Sequence, residues 1–171
     1  MKIVVLIKEV PDTWGERRLD LETGLADRAA SSAVLDEINE RAVEVALAHA
    51  DAHPGTEVTV VSMAPASATA TIRKALAMGA TSAVHIVDDA LRGADLLLTA
   101  EVLAAAVRRS DYDLVIAGNL STDGGGGVIA AMVAELLGVP QVTGLAALEL
   151  SDGAVSGERV SDAGTMRVTS A

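Results

Sequence analysis

Asp113-Leu114-Val115-Ile116-Ala117-Gly118-Asn119-Leu120-Ser121-Thr122-Asp123-Gly124-Gly125-Gly126-Gly127-Val128-Ile129 joins an apolar run, a glycine-rich turn and the start of a second apolar pattern. Leu114, Val115 and Ile116 form a short apolar run of the kind found in buried strands. A polar, glycine-rich turn follows. Val128, Ile129, Met132, Val133, Leu136 and Leu137 then recur at helical spacing, and Gly138-Val139-Pro140 stops the pattern. The spacing predicts a strand over 113–118 and a helix over about 126–137, which is one strand–turn–helix unit.

The same unit repeats upstream. Ile3, Val4, Val5, Leu6 and Ile7 predict a buried strand over 2–7, and Val58-Thr59-Val60-Val61 predicts another within 57–63. A short strand is expected over 83–87. Helices are expected over 36–50, 67–78 and 93–109. The first has Asp36 as N-cap and Ile38, Ala42, Val45, Ala46 and His49 on one face. The second carries Ile72, Ala75 and Leu76 and stops at Gly79. The third is apolar around much of its circumference, which predicts substantial burial. A fifth strand is expected over 141–145.

Helices between short apolar strands imply right-handed crossovers and an α/β domain of three layers, a mostly parallel twisted sheet flanked by helices. The tail reads differently. Residues 147–150, a turn at Ser151-Asp152-Gly153 and residues 154–160 form a β-hairpin pattern, and Asp162-Ala163-Gly164 turns again into 165–169. The expected organisation is a single domain over 1–171, with this hairpin extension from about 146 and incomplete at its C-terminal end. Residues 12–34 make a connection longer than usual, either functional or hiding a small hairpin at Thr23-Gly24.

Composition bounds the function. The chain has 171 residues, half of them hydrophobic, and a mean hydropathy of +0.39, so it can build one sizeable core. There is no Phe, and Trp14 and Tyr112 are the only aromatic residues, so small branched side chains must fill that core. Thirteen basic against 24 acidic residues give a net charge of −11, which opposes binding to nucleic acid or to an anionic membrane. Small phosphorylated ligands remain open, because helix N-termini hold anions without net positive charge. No cysteine is present, so thiolate catalysis, Fe–S clusters and disulfides are excluded. No uninterrupted apolar run reaches membrane-spanning length, and residues 1–8 are too short for a signal-peptide core. Cytoplasm, or an organelle lumen after processing, is the expected setting.

In parallel α/β domains ligands gather beyond the carboxyl ends of the strands. Ser121, Thr122, Asp123, Gly124, Gly125, Gly126 and Gly127 fall at such a position. Ordering four glycines costs roughly 1 kcal/mol each relative to Ala, yet they bring backbone N–H groups close to an anion. Ser121 and Thr122 offer hydroxyl groups. Asp123 suits a helix cap, a ribose hydroxyl or a phosphate-linked cation. The plain alternative is a capped turn with no ligand, since this is neither a P-loop nor a dinucleotide fingerprint. His49, His53 and His85 lack metal-motif spacing, and no Ser–His–Asp arrangement supports a nucleophile. Asp88-Asp89 reads as a strand-end turn. Arg17-Arg18 reads equally as partner contact or solvated loop.

The chain resembles the β subunit of electron transfer flavoproteins, the FixA-like family. The resemblance rests on the opening Met1-Lys2-Ile3-Val4-Val5-Leu6-Ile7-Lys8-Glu9-Val10-Pro11-Asp12-Thr13, on Arg73-Lys74-Ala75-Leu76-Ala77-Met78-Gly79-Ala80, on Asp113-Leu114-Val115-Ile116-Ala117-Gly118 and Asp123-Gly124, and on Ala134-Glu135-Leu136-Leu137-Gly138-Val139-Pro140-Gln141-Val142-Thr143. It implies a Rossmann-like fold of the adenine nucleotide alpha hydrolase type. It also implies AMP or a second FAD held by this chain, and a redox FAD held chiefly by an α subunit in a heterodimer. Dehydrogenases and a quinone oxidoreductase would be transient partners.

The implied nucleotide-binding residues are Ile7, Lys8 and Glu9 at the first strand end, Asp36, Ile38 and Asn39 at the helix start, Ser62 and Met63 nearby, and Ser121 with Asp123, Gly124, Gly125, Gly126, Gly127 and Val128 in the loop. Three departures from the family pattern stand out. Asp36-Glu37 replaces the usual Asn-Pro. Gly125-Gly126-Gly127-Val128 replaces a segment that usually carries Thr and Gln. Family members also continue beyond Ala171 into a C-terminal extension that embraces the α subunit. A stand-alone adenine-nucleotide module resembling universal stress proteins, and a degenerate homologue that binds nothing, are the alternatives.

Overall fold

The structure, a computed structural model, describes residues 1–151 and 153–170. Its centre is a four-stranded parallel sheet: β1 (Lys2–Leu6), β4 (Glu57–Met63), β5 (Ser82–Ile86) and β6 (Leu114–Ala117), in the order β5-β4-β1-β6. β1 pairs with β4 from Lys2↔Glu57 to Leu6↔Val61, and with β6 from Ile3↔Leu114 to Leu6↔Ala117.

Alternation along β1 divides the core in two. Ile3, Val5 and Ile7 face helices α1 (Glu37–Ala52) and α2 (Thr69–Met78), while Val4 and Leu6 face α3 (Leu96–Arg108) and α4 (Ile129–Leu137). Both faces of the strand are covered, which is why its sequence is unbroken apolar. Val4, Val5, Val58, Val60 and Val61 are fully buried, each stabilising the fold by roughly 1.5–3 kcal/mol relative to exposure. Helices on both faces of a parallel sheet make this a Rossmann-like α/β fold.

A short antiparallel ribbon, β2 (Glu9–Pro11) with β3 (Ala33–Leu35), carries the chain from β1 to α1. Between its strands runs the long loop. Asp12 N–H donates to the Ser32 carbonyl at 2.8 Å and pinches the loop's base. The expected hairpin at Thr23-Gly24 is present. Leu19 bridges Ala26, Gly24 adopts φ +70°, and the Asp20 carboxylate accepts from the N–H groups of Glu22 and Thr23.

Several sequence expectations need correction. Residues 141–144 form no strand; Gly144 turns at φ +67°, and β7 (Leu145–Ser151) joins a separate antiparallel sheet. That sheet has three strands, β7, β8 (Ala154–Ser161) and β9 (Gly164–Ser170), in sequential order, so the expected hairpin is the first half of a meander. Asp152 of its first turn lies outside the described residues. Gly126 and Gly127 stay in the turn, and α4 begins at Ile129. On α1 the buried stripe is Asn39, Ala42, Val43 and Ala46, and Val45 is exposed, because Val43 faces the sheet. Leu76 of α2 is also exposed. α3 buries Ala100, Leu103, Ala104 and Val107 but leaves Leu96, Leu97 and Leu98 exposed in its first turn.

Candidate functional site: the crevice between β1 and β6

The order β5-β4-β1-β6 reverses direction at β1, so the connections after β1 and after β6 leave the sheet toward opposite faces. In open parallel sheets this point opens a crevice at the carboxyl end. The register places Ile7 and Gly118 one residue past the ends of β1 and β6, with Ser62 beside Ile7 where the β1–β4 pairing stops and β4 still pairs with β5, and Ile7 N–H donates to the Val61 carbonyl at 2.9 Å. Ser62 is buried, and its Oγ has no hydrogen-bond partner within the described residues. An unpaired buried hydroxyl costs roughly 1–3 kcal/mol, so this atom is one a polar ligand would relieve. Met63, one residue on, packs into the core on the α3–α4 side.

The start of α1 presses on the end of β6. A Cβ at Gly118 would lie 2.6 Å from Asn39 Nδ2 and 2.9 Å from Ile38 Cγ2, so only glycine permits this approach. Asp36 caps α1 as expected, its Oδ1 accepting from Ile38 N–H at 2.9 Å. Its Oδ2 does something the sequence did not disclose. It accepts from Thr122 N–H at 2.7 Å and from the Thr122 hydroxyl at 3.0 Å. Asp36 is 0% exposed, with both oxygens engaged inside the protein.

The glycine turn is held from three sides. Asp123 Oδ1 receives Lys8 Nζ at 2.7 Å, and Asp123 Oδ2 receives Arg28 at 3.3 Å. Arg17 donates to the Thr122 carbonyl at 2.5 Å, and Arg28 also reaches the Glu9 carbonyl at 3.4 Å. The long loop thus straps the turn from one side while the end of β1 braces it from the other. Burial by itself would push the Asp123 carboxyl up. The Lys8 hydrogen bond and charge, helped by the Ser121 hydroxyl and Gly124 N–H, outweigh it and hold the carboxyl below its ordinary value. Glu9, also expected in the site, accepts instead from the Thr71 hydroxyl at 2.5 Å.

Beyond Asp123 the turn is open. Gly125 and Gly127 adopt φ of +63° and +64°, conformations closed to most L side chains. Val128 is the N-cap of α4 and supplies no side-chain bond, so Asp123 does not cap this helix. Among the described residues, the first N–H groups of α4 therefore have no side-chain cap.

The structure therefore links Lys8, Asp36, Ser121 and Asp123 in one network and sets Ile7, Ile38, Asn39 and Ser62 at the same sheet end. Arg28, Gly118 and the second bond of Asp36 escaped the sequence reading, because each acts on a residue far along the chain. The length of the loop was the one usable signal. A separate cleft of about 490 Å³, lined by Lys2, Glu57, Asp111 and Asp113 among others, lies at the opposite, amino end of the strands.

A model of the electron transfer flavoprotein domain matches residues 23–171. The chain belongs to this family. Within it, the similarity is to β subunits. Electron transfer flavoprotein subunit beta of Mycobacterium leprae is 52% identical over 167 residues, covering 95% of this chain and 63% of that protein. The subunit beta of Clostridium acetobutylicum is 41% identical over 143 residues, 84% of this chain and 54% of its own length. The Caffeyl-CoA reductase-Etf complex subunit CarD of Acetobacterium woodii is 37% identical over 153 residues, 89% of this chain. The chain thus spans about 63% of the length of the mycobacterial relatives it matches. Among the described residues, no helix is long and apolar enough to cross a membrane.

Proposed function

We propose that this chain is the nucleotide-holding part of an electron transfer flavoprotein β subunit in the bacterial cytoplasm. It holds AMP or a second FAD at the β1–β6 crevice. Paired with an α subunit, it positions the flavin through which electrons pass from a dehydrogenase toward a quinone-linked acceptor. What supports this reading is that the carboxyl end of the sheet carries both a buried Ser62 hydroxyl without a hydrogen-bond partner among the described residues and an α4 N-terminus without a side-chain cap, behind glycines at positive φ.

The residues present fit an adenine nucleotide. Phosphate would be held by backbone N–H groups of the turn and of α4, with Lys8 and Arg28 near enough to compensate charge. Ser62 and Asn39 offer polar groups in the crevice. The flavin supplies the redox chemistry, and this chain's residues bind, orient and exclude water. Because the turn has glycines where relatives of this type usually carry Thr and Gln, phosphate binding rests on backbone donors, and weaker affinity than in a typical member is expected.

The test is co-expression of the native-length protein with an α subunit encoded beside it, followed by absorbance spectroscopy and mass spectrometry of released nucleotides. A flavin spectrum with co-purifying subunit and bound AMP or FAD is the expected result. An adenine nucleotide on a lone homodimer would favour the stand-alone module. An empty monomer would overturn both.

A further inference from the structure

From the contacts of Asp123 we infer that Asp123-Gly124 is a latent site of spontaneous aspartate isomerisation, kept dormant by the ionic latch that Lys8 and Arg28 close on its carboxylate. Asp-Gly is the pair in which the following backbone nitrogen meets least steric resistance on its way to the side-chain carboxyl, since glycine has no Cβ. Here the Gly124 N–H donates to Asp123 Oδ1 at 2.7 Å, so the nitrogen and the side-chain carboxyl are already neighbours. The turn that follows is built of glycines, and Gly124 to Gly127 are all exposed, so the backbone has room for ring closure.

The reaction needs no outside reagent except water. Gly124 N attacks Asp123 Cγ, a C–N bond forms, and the carboxyl hydroxyl leaves as water with the amide proton, closing a five-membered succinimide. Water then adds to either ring carbonyl. One opening restores aspartate; the other leaves the chain running through the β-carboxyl as isoaspartate. One water leaves and one returns, so composition is unchanged.

Three contacts oppose the first step. A carboxylate is a poor electrophile, and Lys8 at 2.7 Å and Arg28 at 3.3 Å keep this one ionised and fixed on both oxygens. The side chain is only 12% exposed, which limits its rotation toward the ring geometry. Ser121 Oγ accepts from Gly124 N–H at 3.3 Å and restrains the nucleophile. Arg28 belongs to the long loop and Lys8 to the end of β1, so loosening either element weakens the latch. Isomerisation would insert an extra backbone carbon and disrupt the Gly125 N–H to Ser121 carbonyl bond of 2.9 Å that closes the turn.

The sequence carries its own internal clock, a second Asp-Gly pair at Asp152-Gly153. Wild-type protein, the Lys8→Met and Arg28→Gln double variant, and that double variant with Gly124→Ala are aged in neutral buffer. Isoaspartate at both pairs is then quantified by peptide mapping with an isoaspartyl-specific methyltransferase. The expected result is several-fold faster accumulation at Asp123 in the double variant, with Asp152 unchanged, and suppression at Asp123 when Gly124→Ala is added. Gly124 is not at positive φ, and its added Cβ would meet two flexible side-chain ends, the Ser121 hydroxyl at 3.2 Å and Lys8 Nζ at 3.7 Å, so that substitution is accommodated. Equal rates at Asp123 in wild type and double variant, or parallel acceleration at both pairs, would overturn the latch. An undiminished rate in the triple variant would overturn the succinimide route.

Discussion

Asp36 and Thr122 are joined twice, the Asp36 Oδ2 accepting both the backbone N–H and the side-chain hydroxyl of Thr122 across 86 positions of sequence. The same carboxylate caps α1 through Ile38. One buried side chain therefore fixes the helix start to the glycine turn.

Asp36→Ala removes a cap and leaves the Thr122 donors facing a dry void. The expected loss is about 2–4 kcal/mol, the cap and the charge-assisted bonds together. Asp36→Asn keeps the cap to Ile38 but loses an acceptor for Thr122, and should cost less. Urea denaturation of the three proteins checks the order, and equal midpoints for Ala and Asn would contradict the double bond.

Gly118→Ala drives a Cβ into Asn39 and Ile38. Helix α1 has to shift off β6, with an expected cost of about 1–3 kcal/mol and weaker nucleotide retention. Gly55→Ala, at a turn with φ +90° and open space around it, tests plain backbone strain without the clash. Thermal denaturation with nucleotide analysis of both variants separates the effects, since only Gly118→Ala should lower nucleotide content.

Acid should weaken the latch in a defined direction. Asp123 has its carboxyl held below the ordinary value despite burial, so its contribution is present above the unfolded pKa of about 3.9 and fades as pH falls through the lower folded value. Wild type and Asp123→Asn should therefore differ in stability at neutral pH and converge below about pH 4. A constant gap across that window would show that the charge plays no part.

His49 and His53 stack with ring centroids 4.1 Å apart at the end of α1. Burial and then the charge of His53 lower the His49 pKa, so the folded state favours neutral His49. Stability tied to it is complete above the unfolded pKa of about 6.5 and declines as pH drops through the lower folded value. NMR titration should show His49 rising toward its ordinary value in His53→Gln. An unmoved titration curve would remove the His53 charge as a cause.

Trp14, the only tryptophan, is 96% exposed on the strapped loop and close in sequence to Arg17, which holds Thr122. Its fluorescence should resemble free indole and be quenched readily by acrylamide. Nucleotide addition should alter that quenching. An unchanged response at saturating nucleotide would mean the loop does not sense the turn.

The parts legible in sequence were those set by local chemistry. β1 and β4 showed as apolar runs because both faces are covered, and Asp36 showed as a cap because its first partner is two residues away. Residues 141–145 misled because Val142 and Leu145 look like strand residues, while the turn at Gly144 and the pairing of Leu145 with Arg159 decide otherwise. The first turn of α3 also misled: three leucines suggest burial, but the buried stripe of the helix begins only at Ala100. At the site, the glycine turn was visible and its restraints were not. Lys8, Arg28 and Asp36 reach it from 115, 95 and 86 positions away, and no local pattern carries such pairings.

The central place of β1 has a consequence during synthesis. It is the first strand in the chain, yet its neighbours are β4 and β6, whose paired residues begin at Glu57 and Leu114. While the ribosome is still making the middle of the chain, Ile3 to Ile7 wait with one or both edges bare. Such a segment is sticky, and long-range parallel pairing is slow to form. A nascent chain of this protein should therefore be a chaperone client until the strand before the glycine turn emerges, and become independent soon afterward.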